Sequence, residues 1–258
     1  MSALDPGLRA HFVAQAPRYL DAMNAADIIS VSTPGLADHA RLLTDRPVFV
    51  RRNFADSATL KLGAAVRSVA RQGGFGMVFA SGSKGHEADF ATIKEEVATF
   101  LHAAPERHLT ILGHFDMATL PSTIRARCEV RPFTGYDEYL RALAEADCAL
   151  MPLADDTFNQ CKSAVRAIDA AAVRLAVIAS DVGDLPNVVT HGRTGLIAGQ
   201  GMWTAALERL AADPKATRAM GQSARLNLET HWPGSRAPRI IAPELLCWVL
   251  GLSRRISS

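Results

Sequence analysis

Apolar runs of strand length alternate with helix-period segments along most of the chain. The runs are PVFVR (47–51), MVFAS (77–81), LTILG (109–113), EVRPF (129–133), CALMPL (148–153) and AVIAS (176–180), with a short GLIA (195–198) as a further candidate. Nearly continuous apolar content marks parallel strands covered on both faces rather than half-exposed, alternating ones. Between the runs, apolar residues recur at spacings of three and four, as at Phe90, Ile93, Val97 and Leu101. That is the period of a helix laying one face on a sheet. Strand–helix–strand repetition folds by right-handed crossovers into an open parallel sheet with helices on both faces. The predicted fold class is therefore α/β, Rossmann-like.

The two ends read differently. Residues 8–24 have a helical pattern, ADIISVSTP is a strand stopped at Pro34, and a short helix covers 35–44. One helix and one strand cannot enclose a core. Residues 1–52 are thus expected to be the remnant of an N-terminal domain and its connection to a main domain at 53–232. A C-terminal helix at 233–258 follows the break Trp232-Pro233-Gly234. In it, Ile241, Leu245, Trp248 and Leu252 share a face. Either this face folds back on the chain's own sheet, or it offers an apolar stripe to a partner chain, a second copy or a membrane surface, assisted by Arg254 and Arg255.

Composition narrows the class. Of 258 residues, 48% are hydrophobic, which suits a buried sheet and argues against disorder. A net charge of +2, with no basic patch interleaved with aromatics, gives no reason to expect a nucleic-acid partner. Cys128, Cys148, Cys161 and Cys247 are far apart and form no C-x-x-C pair, as expected of reduced thiols rather than disulfides or a zinc site. The start MSALDPGLRAHF carries early charges and lacks the apolar core of a secretory signal. The longest apolar stretch, 240–252, is interrupted by Pro243 and Glu244 and is too short to span a bilayer. A cytoplasmic protein is expected, at most peripheral on the inner face of the membrane.

Ligands of parallel α/β sheets sit beyond the carboxyl ends of the strands, so the loops there carry the candidate chemistry. The first is SGSKGHEADF (81–90), where small residues let backbone amides approach an anion and the next helix presents its positive end. Ser81, Ser83, Lys84 and His86 are its candidate phosphate contacts; the competing reading is a turn and helix cap. The second is PLADDTFNQCKSAVRAIDAAAV (152–173), with Asp155, Asp156 or Asn159 as cap of a helix starting near Gln160. Cys161, Val165, Ile168 and Ala172 form its apolar stripe, and Lys162, Arg166 and Asp169 a neighbouring polar face. Such a face suits a nucleoside diphosphate, the lysine meeting phosphate and Asp169 the ribose hydroxyls. Equally it suits a solvated face with an Arg166–Asp169 salt bridge. In the third loop, SDVGDLPNVVTHGRTGL (180–196), amides around Gly183 could face the sugar or its phosphate, or serve only a structural turn.

Taken together and in this order, the three loops resemble the donor domain of the group 1 (family four) retaining glycosyltransferases of the GT-B fold. IASDVGDLPNVVTHGRTGLI is similar to that family's strand, glycine turn, short helix and terminal T-G-L. SGSKGHEADF resembles an S-G-S/T-x-x-H-x-x-D-F segment, and FNQCKSAVRAIDAAA an F-N-R-x-K-S-x-x-K-x-x-E-x-x-A helix, of one branch. The similarity covers roughly residues 26–225.

The resemblance implies a nucleoside-diphosphate sugar as donor substrate and retention at the anomeric carbon. It implies neither a metal nor a cofactor, because helix ends and cations stabilise the leaving diphosphate. Lys162 and Ser163 would lie at that diphosphate, and Asp169 takes the place of the family's ribose-contacting glutamate, one methylene shorter. The family's first glutamate falls on Cys161. Its loop arginine and lysine map near Ser81 and His86, and no residue is assigned a catalytic role. With most of an N-terminal acceptor domain expected to be missing, the chain alone is expected to be inactive. An alternative is a non-catalytic, degenerate module with an interaction or regulatory role. A sugar epimerase of similar topology would need a Tyr-x-x-x-Lys pair, which Tyr136 and Tyr139 do not supply.

Overall fold

The computed structural model describes residues 6–66, 74–82, 86–132, 134–232, 234 and 240–251. Ser83, Lys84, Phe133, Leu252, Arg254 and Arg255 lie outside the described residues. Among the described residues eight strands form two sheets: β1 (Ile29–Val31) and β2 (Val48–Val50) pair in parallel, and the others build a six-stranded parallel sheet. These are β3 (Phe75–Ser81), β4 (Arg107–Gly113), β5 (Cys128–Arg131), β6 (Cys148–Met151), β7 (Ala176–Ala179) and β8 (Leu196–Ile197), in the order β5-β4-β3-β6-β7-β8. The α/β class and the strand positions follow the sequence pattern closely.

Alternate residues of each central strand enter opposite cores. Met77 and Phe79 of β3 join one cluster with Phe90, Phe100, Leu109 and Trp203, while Val78 joins the other with Leu140, Ile168, Val177 and Leu228. That is why both parities had to be apolar. The helical stripe Phe90, Ile93, Val97 and Leu101 is buried, though two helices share it, His86–Ala91 and Lys94–Ala103.

The chain leaves β3 toward β4 on one side, while β6 flanks β3 on the other. This reversal opens a crevice at the strands' carboxyl ends, the usual ligand position in open α/β sheets.

Around β1 and β2 the helices Pro6–Ala25 and Pro34–Arg41 complete a small layer with a core of Ala37, Ala40 and Val48. Thr33 caps the second helix through the Leu36 amide and donates its hydroxyl to the Cys161 carbonyl at 2.8 Å. Arg52 spans from this layer to Asp184, its Nε 3.2 Å from both carboxylate oxygens. The C-terminal segment folds back on the same layer: Arg52 donates its amide to Ile240, Ala242 donates to Val50, and Leu245 of the helix Pro243–Val249 is buried. Of the two fates open to that helix, it takes the return onto its own chain, with Trp248 39% exposed.

Two helices differ from their sequence patterns: among the described residues the C-terminal one, expected over 233–258, spans Pro243–Val249, and the one after β6 is broken. The segment expected to run unbroken from Gln160 is two helices, Thr157–Gln160 and Val165–Ala172, with Lys162 and Ser163 in the break. Asp156 caps the first by accepting from the Asn159 amide at 2.8 Å. Cys161 lies outside the second helix and Val165 is 44% exposed, so its stripe on the core rests on Ile168 and Ala172. Contacts from outside the segment stabilise the break: Thr33 binds the Cys161 carbonyl and the Asp184 amide donates to the Lys162 carbonyl.

Candidate functional site

A cleft of about 730 Å³ occupies the crevice above β3, β4 and β6. One wall comes from the ends of β3 and β4, at Ala80, Gly82, Leu112 and Gly113. Arg131 and Pro132 after β5, with Tyr136 and Tyr139 of the helix Tyr136–Ala144, form a second wall. The third is the broken-helix segment, presenting Lys162, Ser163, Arg166 and Asp169; His86 also lines the cleft. Lys162, Arg166, His86 and Arg131, which bear or can acquire positive charge, thus share one cleft with the Ser163 hydroxyl.

The cationic end is held by Asp89, 2% exposed at the start of the helix after β3. Its carboxylate accepts from His86 Nδ1 and Lys162 Nζ, each at 3.0 Å, from the Ala154 amide at 3.2 Å and from Asn159 Nδ2 at 2.9 Å. Burial pushes the Asp89 carboxyl up, but the bonds from His86, Lys162 and Ala154, with the lysine charge, prevail and hold it at about 2. For His86, the bond to Asp89 favours protonation; burial and the charges of Arg166 and Lys162 outweigh it, so the ring titrates below its usual range. Lys162 Nζ also lies 5.0 Å from the centre of the Phe158 ring.

A second carboxyl, on the cleft lining, has the reverse shift. Asp169, 7% exposed, accepts from the Tyr136 hydroxyl at 2.7 Å. Burial pushes its pKa up to about 6, against the hydrogen bonds from Tyr136 and Tyr139. Arg166 makes no salt bridge to Asp169, contrary to the solvated-face reading; its guanidinium donates to the Ala80 carbonyl at 3.0 Å. The i, i+3 spacing was right for a helix face, but Tyr136 and the strand carbonyl took the two partners.

The other sequence-derived candidates take these positions. Ser163 lines the cleft, its Oγ accepting from Asn53 Nδ2 at 2.8 Å. Ser81 is fully buried behind the wall, donating to the His114 carbonyl at 2.6 Å. Gly183 lies behind the broken helix with φ +65°, where a Cβ would come within 2.7 Å of the Asn159 carbonyl oxygen. Its amide donates to the Gln160 side chain at 3.3 Å. Sequence reasoning missed Asp89, Asn53 and Arg131. Asp89 was legible as the aspartate of H-x-x-D, one helical turn after His86; the other two come near through long-range folding.

A family model described as Glycosyl transferases group 1 matches residues 76–213, which carry the six-stranded sheet and the cleft. Over 66 residues the chain is 44% identical to the D-inositol 3-phosphate glycosyltransferase of Gordonia bronchialis, a match covering 24% of this chain and 14% of that protein. Among solved structures, the sucrose-phosphate synthase of Thermosynechococcus elongatus superposes with a TM-score of 0.60 at 18% identity, covering 83% of this chain and 56% of that one. Anabaena Alr3699/HepE, solved in complex with UDP-glucose, gives 0.62 at 13% identity over 83% and 62% of the two chains. The C-terminal domain of the Francisella tularensis group 1 glycosyl transferase LpcC gives 0.52 at 14% identity, covering 66% of this chain and 97% of that domain. This chain therefore spans little more than half the length of the sucrose-phosphate synthase and a small part of the curated relative it matches. With more than half of its residues inside the matched span and the same sheet architecture, the chain belongs to the group 1 glycosyltransferases and has the α/β fold of their GT-B class.

Proposed function

We propose that the cleft binds a nucleoside-diphosphate sugar as the donor for retaining glycosyl transfer. The observation that carries this reading is the convergence of Lys162, His86, Arg166 and Ser163 on one cleft at the sheet's switch point. The diphosphate lies against Lys162, Ser163 and His86, and the nucleoside extends toward Tyr136, Tyr139 and Arg131. Asp169 meets the ribose after exchanging its Tyr136 bond. Anabaena Alr3699/HepE, of the same fold, was solved with UDP-glucose, which supports this class of ligand. Side-chain cations supply the charge compensation, so neither metal nor cofactor is required. Among the described residues no helix is long and apolar enough to cross a membrane. We place the protein in the cytoplasm, at most peripheral on the inner membrane face. Calorimetric titration with UDP, GDP and their sugars tests the reading; no binding at millimolar ligand would sink it.

A second reading, a degenerate module that binds without transferring, is favoured by one observation: the Asp169 carboxylate is already engaged by Tyr136. Donor hydrolysis or sugar transfer by the purified chain would dispose of it.

A further inference from the structure

The groups that face the cleft's cationic end are held by a carboxylate that lines no part of it. Asp89 gathers three separate segments: His86 at the start of its own helix, Ala154 after β6, and Asn159 with Lys162 at the broken helix. One carboxylate oxygen takes the two charge-bearing side chains, and the other takes the backbone amide and the Asn159 amide. We propose that Asp89 is a positioning residue for the donor diphosphate, fixing the Lys162 ammonium and the His86 ring in the geometry that receives phosphate. This rests on the donor-binding reading.

Two physical effects oppose each other at this point. A negative charge 3.0 Å from Lys162 weakens that cation's pull on an incoming diphosphate. Against this, a free lysine loses rotamer freedom on binding, and here Asp89 and the Phe158 ring have already restricted it. The pairing also sets the histidine. A carboxylate accepts only, so His86 carries a proton on Nδ1, and Nε2 donates to a phosphate once the ring takes a second proton beside the incoming negative charge. The charged groups facing His86 are Asp89, Lys162 and Arg166. A fixed tautomer, a fixed ammonium and two anchored loops make pre-organisation the larger effect.

The experiment is a double-mutant cycle read by calorimetry with UDP and GDP as probes, on the wild-type chain, Asp89→Asn, Lys162→Met and the double variant. Asp89→Asn should weaken nucleotide binding about tenfold or more, and the further loss it causes in the Lys162→Met background, through His86 alone, should be clearly smaller. Unchanged or tighter binding by Asp89→Asn, or additive losses, overturns the proposal while leaving donor binding intact. Absence of binding by the wild-type chain overturns the donor reading and the proposal with it. A measurement on the wild type covers a variant that fails to fold: ring nitrogen NMR of His86 should show the Nδ1–H tautomer, and an Nε2–H tautomer refutes the arrangement. In a folded Asp89→Asn, the His86 ring should titrate still lower, a change that loss of a purely structural contact elsewhere would not produce.

Discussion

Replacing Asp169 with asparagine should stabilise the protein at neutral pH and not in acid. The carboxyl is 7% exposed, and burial pushes its pKa up from 3.8 to about 6. The unfolded chain ionises first as pH rises, so the folded state holds the extra proton between about pH 4 and 6. Stability therefore falls with rising pH across that window and levels off above it. At 1.36 kcal/mol per pH unit, the full penalty is about 3 kcal/mol. Asparagine keeps the shape and the acceptor for Tyr136 but adds an amide group that needs a partner, costing about 1 kcal/mol. The expected gain above pH 7 is thus about 2 kcal/mol, or roughly 4–8 °C in Tm for a chain of this size.

Thermal melts of both proteins from pH 3.5 to 8 test this. Below about pH 4 the gain should vanish and the variant should match the wild type or melt slightly lower. A Tm difference independent of pH, or a variant less stable at pH 8, would refute the assignment of a buried, strained charge. The same substitution should weaken UDP binding if Asp169 meets the ribose. Stability gained where binding is lost is the usual relation at a functional site.

Asp89 should show the opposite pH signature: its depressed pKa contributes about 2 kcal/mol above pH 4 that is lost as pH falls toward 2, visible as an acid limb in wild-type melts that Asp89→Asn lacks. Gly183→Ala combines a left-handed backbone with a Cβ 2.7 Å from the Asn159 carbonyl oxygen, and should cost about 2 kcal/mol or more in chemical denaturation. Arg52→Met leaves Asp184, 4% exposed, without its guanidinium partner and should destabilise by about 3 kcal/mol in the same assay. Nucleotide affinity should be unchanged by EDTA in calorimetry; a loss restored by a divalent cation would contradict charge compensation by side chains alone.

Much of the fold was legible because parallel strands announce themselves. β3, β4, β6 and β7 needed apolar residues at both parities, and no helix boundary or charge interrupts those runs. The broken helix at 161–164 was not legible, because its cause lies outside it: Thr33 draws on the Cys161 carbonyl across 128 positions of sequence, and Asp184 uses the Lys162 carbonyl. The Lys162, Arg166 and Asp169 set was found by assuming an unbroken helix. Despite the break, all three residues line the one cleft. Their partners were beyond sequence reasoning, since Tyr136 and the Ala80 carbonyl reach them through sheet topology.

Two buried carboxyls, Asp169 lining the cleft and Asp89 behind its wall, play different mechanical roles. Asp89 has cationic and amide donors and stays ionised, so displacing any one donor leaves that donor and part of a buried carboxylate unsatisfied; that end is rigid. Asp169 has tyrosine hydroxyls and sits near the point of changing charge, so its bond to Tyr136 can be exchanged for another hydroxyl at little cost. Under the proposed donor reading, the rigid end suits a diphosphate, which varies little among donors, and the exchangeable end suits a nucleoside that must be admitted and released. The same distinction explains why alteration of Asp89 should register in diphosphate affinity at every pH above 4, and why alteration of Asp169 should register in stability only above it.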